Sequence, residues 1–137
     1  YVDIDIFTDE HIQNAIVSAA HGCNCRIIAS YHNFNYTLPD VRLQEIYHRC
    51  ADLEPDVIKI ACKVHSHADI AAILSLYGMA QPGRLIALGM SEMGRITRIA
   101  APFLGAPFTY ASPEKFKETA EGQFDIETLQ KIFDLMK

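Results

Sequence analysis

Lys59 stands inside an apolar run, DVIKIAC, at residues 56–62. Burial among apolar neighbours disfavours the charged form of an amine. A neutral amine can attack a ketone and form a Schiff base. The plainer alternative is a strand-end lysine that snorkels to water or pairs with a carboxylate. His32 lies in SYHNF, residues 30–34. Its near-neutral titration suits it to moving protons, although a loop histidine held by structural hydrogen bonds would look the same. Arg95 and Arg98 lie in GMSEMGRITR, a loop opening into a helix. An arginine so placed can clamp a carboxylate or phosphate; a solvated helical arginine is equally ordinary. His65 and His67 precede a helix and read as solvent-facing rather than metal-ligating. Cys23, Cys25 and His21 could begin a zinc site, but no fourth ligand is evident. Together with Cys50 and Cys62 they read as reduced thiols of a cytosolic protein.

These residues need elements to hold them. Val2, Ile4 and Ile6 alternate with Asp3, Asp5 and Phe7, as in a strand. Thr8 is the expected cap of the helix that follows, and Gly22 its end. Further strands are expected at 26–30, 57–62, 85–88 and 108–110. Residues 31–38 read as a polar, aromatic loop. A helix starts near Pro39, with Val41, Ile46 and Tyr47 on its apolar side. Ser66 caps the next helix, a short one spans about 95–103, and the last runs from about 125 to 136. Five strand–helix alternations in 137 residues predict one domain, 1–137, with a parallel sheet covered by helices. In such folds chemistry collects at the carboxyl ends of the strands. On its strand Lys59 shares a face with Val57, Ala61 and Lys63, away from Ile58, Ile60 and Cys62.

The net charge of -5 comes without a basic block, which argues against nucleic acid or an anionic membrane as partner. No apolar run reaches the roughly 18 residues of a membrane span, and no Gly-rich phosphate fingerprint supports a nucleotide site. YVDIDIF is strand-like from the first residue, so the chain is expected to begin inside a longer protein.

The order of these features is more specific than any one of them. YVDIDIF, SYHNF, VIKIA, GMSEMGRITR and TAEGQ (119–123) together resemble the type I 3-dehydroquinate dehydratases over essentially the whole chain. The resemblance implies a (β/α)8 TIM barrel, here about five C-terminal βα units of it. It implies a hydro-lyase of the shikimate pathway, and so of aromatic amino acid biosynthesis, converting 3-dehydroquinate to 3-dehydroshikimate without metal or organic cofactor. Matched motif by motif, Lys59 takes the role of the lysine that forms a Schiff base with the C3 ketone. His32 takes that of the histidine that removes the C2 proton and helps the C1 hydroxyl leave. Arg98 would bind the substrate carboxylate, Gln123 and Thr119 its hydroxyls, and Met90 would pack near it. Asp5 or Asp3 would orient His32.

The departures carry expectations too. Thr97 stands where serine is usual. Glu121 replaces a proline and is expected to loosen its loop or repel an anionic substrate. The family's first three strands, with a glutamate and arginines, find no match here. The 137 residues therefore read as a C-terminal portion with open sheet edges and weak or no activity alone. Another class I Schiff-base enzyme, such as an aldolase, would explain Lys59 but not SYHNF and Gly122-Gln123 together. A non-catalytic, self-associating half-barrel is the third reading. The expected partners are the small-molecule substrate and a second copy of the chain, in the cytoplasm.

Overall fold

The computed structural model of the chain describes all residues except Phe116 and Lys137. Among the described residues four strands form one parallel sheet: β1 (Val2–Asp5), β2 (Ile27–Asn33), β3 (Val57–Lys63) and β4 (Leu85–Met90), in the order β1-β2-β3-β4. The helices are α1 (Glu10–Gly22), α2 (Asp40–Ala51), α3 (His67–Ser75), α4 (Arg95–Phe103) and α5 (Ile126–Leu135), with a 3₁₀ turn at Leu76–Gly78. Each of β1, β2 and β3 reaches its neighbour through one helix, the crossover that parallel pairing requires. None of the described helices is long and apolar enough to cross a membrane.

The period of two along each strand sorts the sheet into two faces. Ala29, Tyr31, Ile58, Ile60, Cys62, Leu85 and Ala87 pack under Leu43 and Cys50 of α2 and Ile73 of α3. Ile28, Val57, Ile86 and Leu88 form a second cluster on the opposite face, joined by Ala101 and bordered by Phe108 and Tyr110. β2, β3 and β4 are thus apolar on both faces at their amino ends, as buried parallel strands must be, while the edge strand β1 carries Asp3 there. Toward the carboxyl ends the second face turns polar, with Ser30, His32 and Lys59. That gradient leaves one end of the sheet free for chemistry.

The half-barrel of parallel βα units stands as expected, with local differences. The expected fifth strand at 108–110 does not form. Pro107 offers no N–H, and the described residues give the segment no ladder beyond β4; a single bridge joins Ser112 to Asp125 instead. β2 runs on through Tyr31, His32 and Asn33, because Tyr31 and His32 pair in register with Ile60 and Ala61. Local polarity had placed these residues in a loop. Asp9, not Thr8, caps α1, its carboxylate accepting from the His11 N–H. In α2, Ile46 and Tyr47 pack against the core as expected, beside the fully buried Leu43 and Cys50; of the expected apolar side only Val41 departs, facing solvent. Ser66 forms a reciprocal capping box with Asp69, and Asp125 caps α5.

Candidate active site

Asp5 closes β1, and its two carboxylate oxygens have different jobs. Oδ1 accepts from the Phe7 N–H at 2.9 Å, which turns the chain out of the sheet. Oδ2 is left facing His32 Nδ1 at 3.4 Å. This is a long contact that a bound substrate can tighten. The His32 ring also stacks on Phe34, with 6.0 Å between centroids and 7° between planes. Beyond it, the Asn33 side chain accepts from the Asn35 and Tyr36 N–H groups, a turn that ends the strand and shapes the cavity rim.

Lys59 Nζ donates to Asp3 Oδ2 at 2.9 Å and sits 5.1 Å from the centroid of the Tyr110 ring. The lysine side chain is 16% exposed. The carboxylate partner is the plainer of the two sequence readings, and it coexists with burial. Register explains which aspartate meets which base. Asp3 is level with Ile28 and Val57, and Asp5 is level with Ser30 and Lys59. Lys59 and His32 therefore each reach back one pleat toward β1. Ser30 lies between them on the same face; its hydroxyl is buried with no partner among the described residues.

Arg98 is placed by two glycines. A Cβ on Gly94 would meet the Gly89 carbonyl carbon at 2.6 Å, so only glycines let the start of α4 lie against the end of β4. The Thr97 hydroxyl locks that approach, accepting from the Gly89 N–H and donating to the Gly94 carbonyl, both at 2.7 Å. Threonine serves here as serine would, through its hydroxyl. Arg98 follows, 2% exposed, its Nε without a partner. Burial, and then the like charge of Arg95, pull its pKa below the ordinary arginine value. Arg95, whose Nε is likewise buried without a partner, is by contrast engaged through both Nη groups, with Glu92 and the Gln123 carbonyl, and lies over the Phe124 ring. The unpaired guanidinium is the one suited to an anion.

Gln123 is 4% exposed, and its side-chain oxygen accepts from the Thr119 N–H at 2.9 Å and the Thr119 hydroxyl at 3.1 Å. All six residues singled out for catalysis and binding, His32, Lys59, Met90, Arg98, Thr119 and Gln123, line one cavity of about 250 Å³. Phe34, Ala61, Leu88, Tyr110 and Ala120 complete its wall. Another hollow, of about 330 Å³ near the amino ends of β3 and β4, is lined by residues such as Glu54, Pro55 and Arg84 and brings no lysine or histidine to its wall. His65 lies outside the cavity wall and binds the Asn35 carbonyl through its ring at 2.7 Å. The four cysteines are free thiols and none lines the cavity.

Sequence reasoning missed Tyr110. Its hydroxyl is pushed above the ordinary tyrosine range by burial and then by the Asp3 carboxylate. Its only signal was an aromatic in an expected strand, which does not separate a site residue from core. The pairing of Lys59 with Asp3 was equally out of reach, since it joins residues 56 positions apart.

The fold and cavity define the class: a wall of parallel βα units with its ionisable groups gathered at the strand carboxyl ends, as in β/α-barrel enzymes. The chain belongs to the type I 3-dehydroquinase family, whose family model matches residues 1–137. It is 35% identical over 136 residues to the 3-dehydroquinate dehydratase of Methanocaldococcus jannaschii. It is 36% identical over 136 residues to that of Thermococcus gammatolerans. These matches take in 99% of this chain but 60% and 61% of the relatives, so the chain spans about six-tenths of their length. Among solved structures, the 3-dehydroquinate dehydratase of Geobacillus kaustophilus superposes with a TM-score of 0.87 at 24% identity, over 98% of this chain and 52% of that one. The enzyme of Aquifex aeolicus gives 0.81 at 27% identity, over 97% and 58%. The relatives carry a dehydratase's name, not an aldolase's.

Proposed function

We propose that the chain forms the catalytic wall of a 3-dehydroquinate dehydratase, which removes water from 3-dehydroquinate and yields 3-dehydroshikimate. The observation that carries this is the convergence of Lys59, His32 and the partnerless Arg98 on one cavity. Arg98 supplies a buried cation whose natural complement is the substrate carboxylate, held by charge-assisted hydrogen bonds. The Gln123 oxygen is occupied by Thr119, which leaves the amide N–H₂ for a substrate hydroxyl. Lys59 gives up a proton, with Asp3 the nearest acceptor, and its amine adds to the C3 ketone. Loss of water leaves an iminium. The iminium withdraws electrons from the C2–H bond, and His32, backed by Asp5, takes that proton as general base. The electron pair forms an enamine and then expels the C1 hydroxyl, to which His32 returns the proton, so that it leaves as water. Hydrolysis of the product imine frees Lys59. With this reading go a place in the shikimate pathway, a cytoplasmic location that suits four free thiols, and a homodimer.

Borohydride trapping tests the reading. The natural protein treated with 3-dehydroquinate and borohydride gains the mass of the reduced adduct on the peptide carrying Lys59. Lys59→Met abolishes the adduct. His32→Ala still traps but turns over several orders of magnitude more slowly. Undiminished trapping in Lys59→Met, or full turnover in His32→Ala, overturns the assignment. The 137 residues alone are expected to turn over weakly, and turnover near that of a complete enzyme counts against that expectation.

A further inference from the structure

We propose that Lys63 and Glu121 are a positioning pair, holding segment 119–123 over the cavity so that Thr119 and Gln123 meet the substrate. The kinetic part of the inference rests on the function proposed above; the structural part does not. Lys63 is the last residue of β3, on the face that carries Lys59 and Ala61. Its ammonium is ion-paired with the Glu121 carboxylate. The lysine end of the pair is fixed. The Thr37 hydroxyl donates to the Lys63 carbonyl at 2.7 Å, and the Val64 N–H donates to the Met90 carbonyl at 3.0 Å. The glutamate end sits in the middle of the segment whose Thr119, Ala120 and Gln123 line the cavity.

The same segment is held from the β4 side by its backbone. The Ser91 N–H donates to the Glu121 carbonyl at 3.3 Å, and an Arg95 Nη2–H donates to the Gln123 carbonyl at 3.3 Å. Gly122, at φ +79°, passes so near Ser91 that a Cβ there would lie 2.1 Å from the Ser91 carbonyl oxygen. Backbone contacts thus tie the segment to one strand end, and the ion pair ties it to the next strand along. Without Lys63 the segment would hang from the β4 side alone. The pair also neutralises Glu121. A carboxylate in a loop over an anion-binding cavity would repel the ligand; joined to Lys63 it presents no net charge. Loosening and repulsion, the two effects expected of Glu121 from sequence, are both countered by one lysine across the cavity mouth.

The test uses the natural protein, its Lys63→Met and Glu121→Gln variants, and the reversed pair carrying Lys63→Glu and Glu121→Lys. Two readouts are taken: amide hydrogen exchange of residues 118–124 and the Ser91 amide, and the separate values of kcat and KM for 3-dehydroquinate. Each single variant is expected to speed exchange and raise KM by about 2- to 5-fold, the scale of a partly exposed ion pair, with kcat unchanged. The reversed pair restores both. Unchanged exchange in the single variants overturns the pairing. Faster exchange with an unchanged KM overturns the positioning role, as does failure of the reversed pair to restore KM. If even the unaltered protein neither traps nor turns over 3-dehydroquinate, the functional reading fails, and exchange alone still decides whether the pair holds the loop.

Discussion

Replacing Arg98 by methionine should stabilise the protein while crippling substrate binding. Arg98 is 2% exposed, and its Nε has no hydrogen-bond partner. Burial lowers its pKa, with Arg95 adding like-charge repulsion, yet arginine's ordinary value is high enough that the charge stays. An unsatisfied buried donor costs about 1–3 kcal/mol, and a buried charge without a counter-ion costs several. Methionine has similar reach and carries no charge. Set against some lost packing, the net relief should be about 1–3 kcal/mol. At this chain length that is a rise of roughly 3–10 °C in Tm. Substrate binding moves the other way. Removing one side of a buried, charged hydrogen-bonded pair costs about 2–4 kcal/mol, or roughly 30- to 1000-fold in kcat/KM. The assay is thermal and urea unfolding of both proteins without ligand, beside steady-state kinetics with 3-dehydroquinate. Arg98→Lys is the control that keeps the charge and loses the fork. A variant destabilised by more than about 1 kcal/mol would falsify the reasoning, because it would mean that Arg98 supports the fold rather than waiting for an anion.

Three further outcomes follow from the geometry. The Tyr77 hydroxyl accepts from the Ala87 N–H at 2.9 Å and donates to the Ala87 carbonyl at 3.3 Å, and burial pushes its pKa up to about 12 from 10.0. Its contribution to stability is therefore complete below about pH 10 and lost as pH rises toward 12, by about 3 kcal/mol in all. Tyr77→Phe should cost about 1–3 kcal/mol at pH 7 by orphaning the Ala87 N–H. It should also flatten part of the alkaline decline, the remainder belonging to Cys50 and Cys62, which burial raises to about 12. Urea midpoints between pH 7 and 11 check this, and an unaltered slope counts against it. Gly122→Ala puts a side chain at φ +79° and a Cβ 2.1 Å from the Ser91 oxygen. With left-handed strain of about 1–2 kcal/mol, loop closure should weaken and KM rise about 5- to 30-fold; a wild-type KM contradicts the close approach. Leu43→Ala empties a fully buried position beneath α2 and should cost about 2–5 kcal/mol in urea unfolding, against less than 0.5 kcal/mol or so for Val41→Ala on the exposed side of the same helix.

Local signals in the sequence were enough to read most of the scaffold. The alternation around Ile58, Ile60 and Cys62 marked β3, and Ser66 marked the start of α3, because both depend on residues only a few positions apart. The same locality explains the errors. Tyr31 to Asn33 read as loop because their strand character comes from pairing with β3, not from their own composition. Residues 108–110 read as strand because Phe108 and Tyr110 alternate, but alternation cannot report that a partner strand is missing among the described residues. Val41 read as buried because an apolar side chain does not reveal which side of a helix meets the sheet.

The site divides in the same way. By itself the sequence determined the residue types that could do this chemistry, the strand face on which Lys59 lies, and their gathering at strand carboxyl ends, since strand period and βα order follow from the chain. Only the tertiary structure decided the partners. Asp3 goes to Lys59 and Asp5 to His32 because parallel register sets β1 one pleat back from both bases. Arg95 is engaged and Arg98 is not because Gly89 and Gly94 let α4 start against the end of β4. Glu121 meets Lys63 across 58 residues because two strand ends and a loop come together there. Pairings of that span depend on distances between separate elements, and those distances exist only once the sheet has formed.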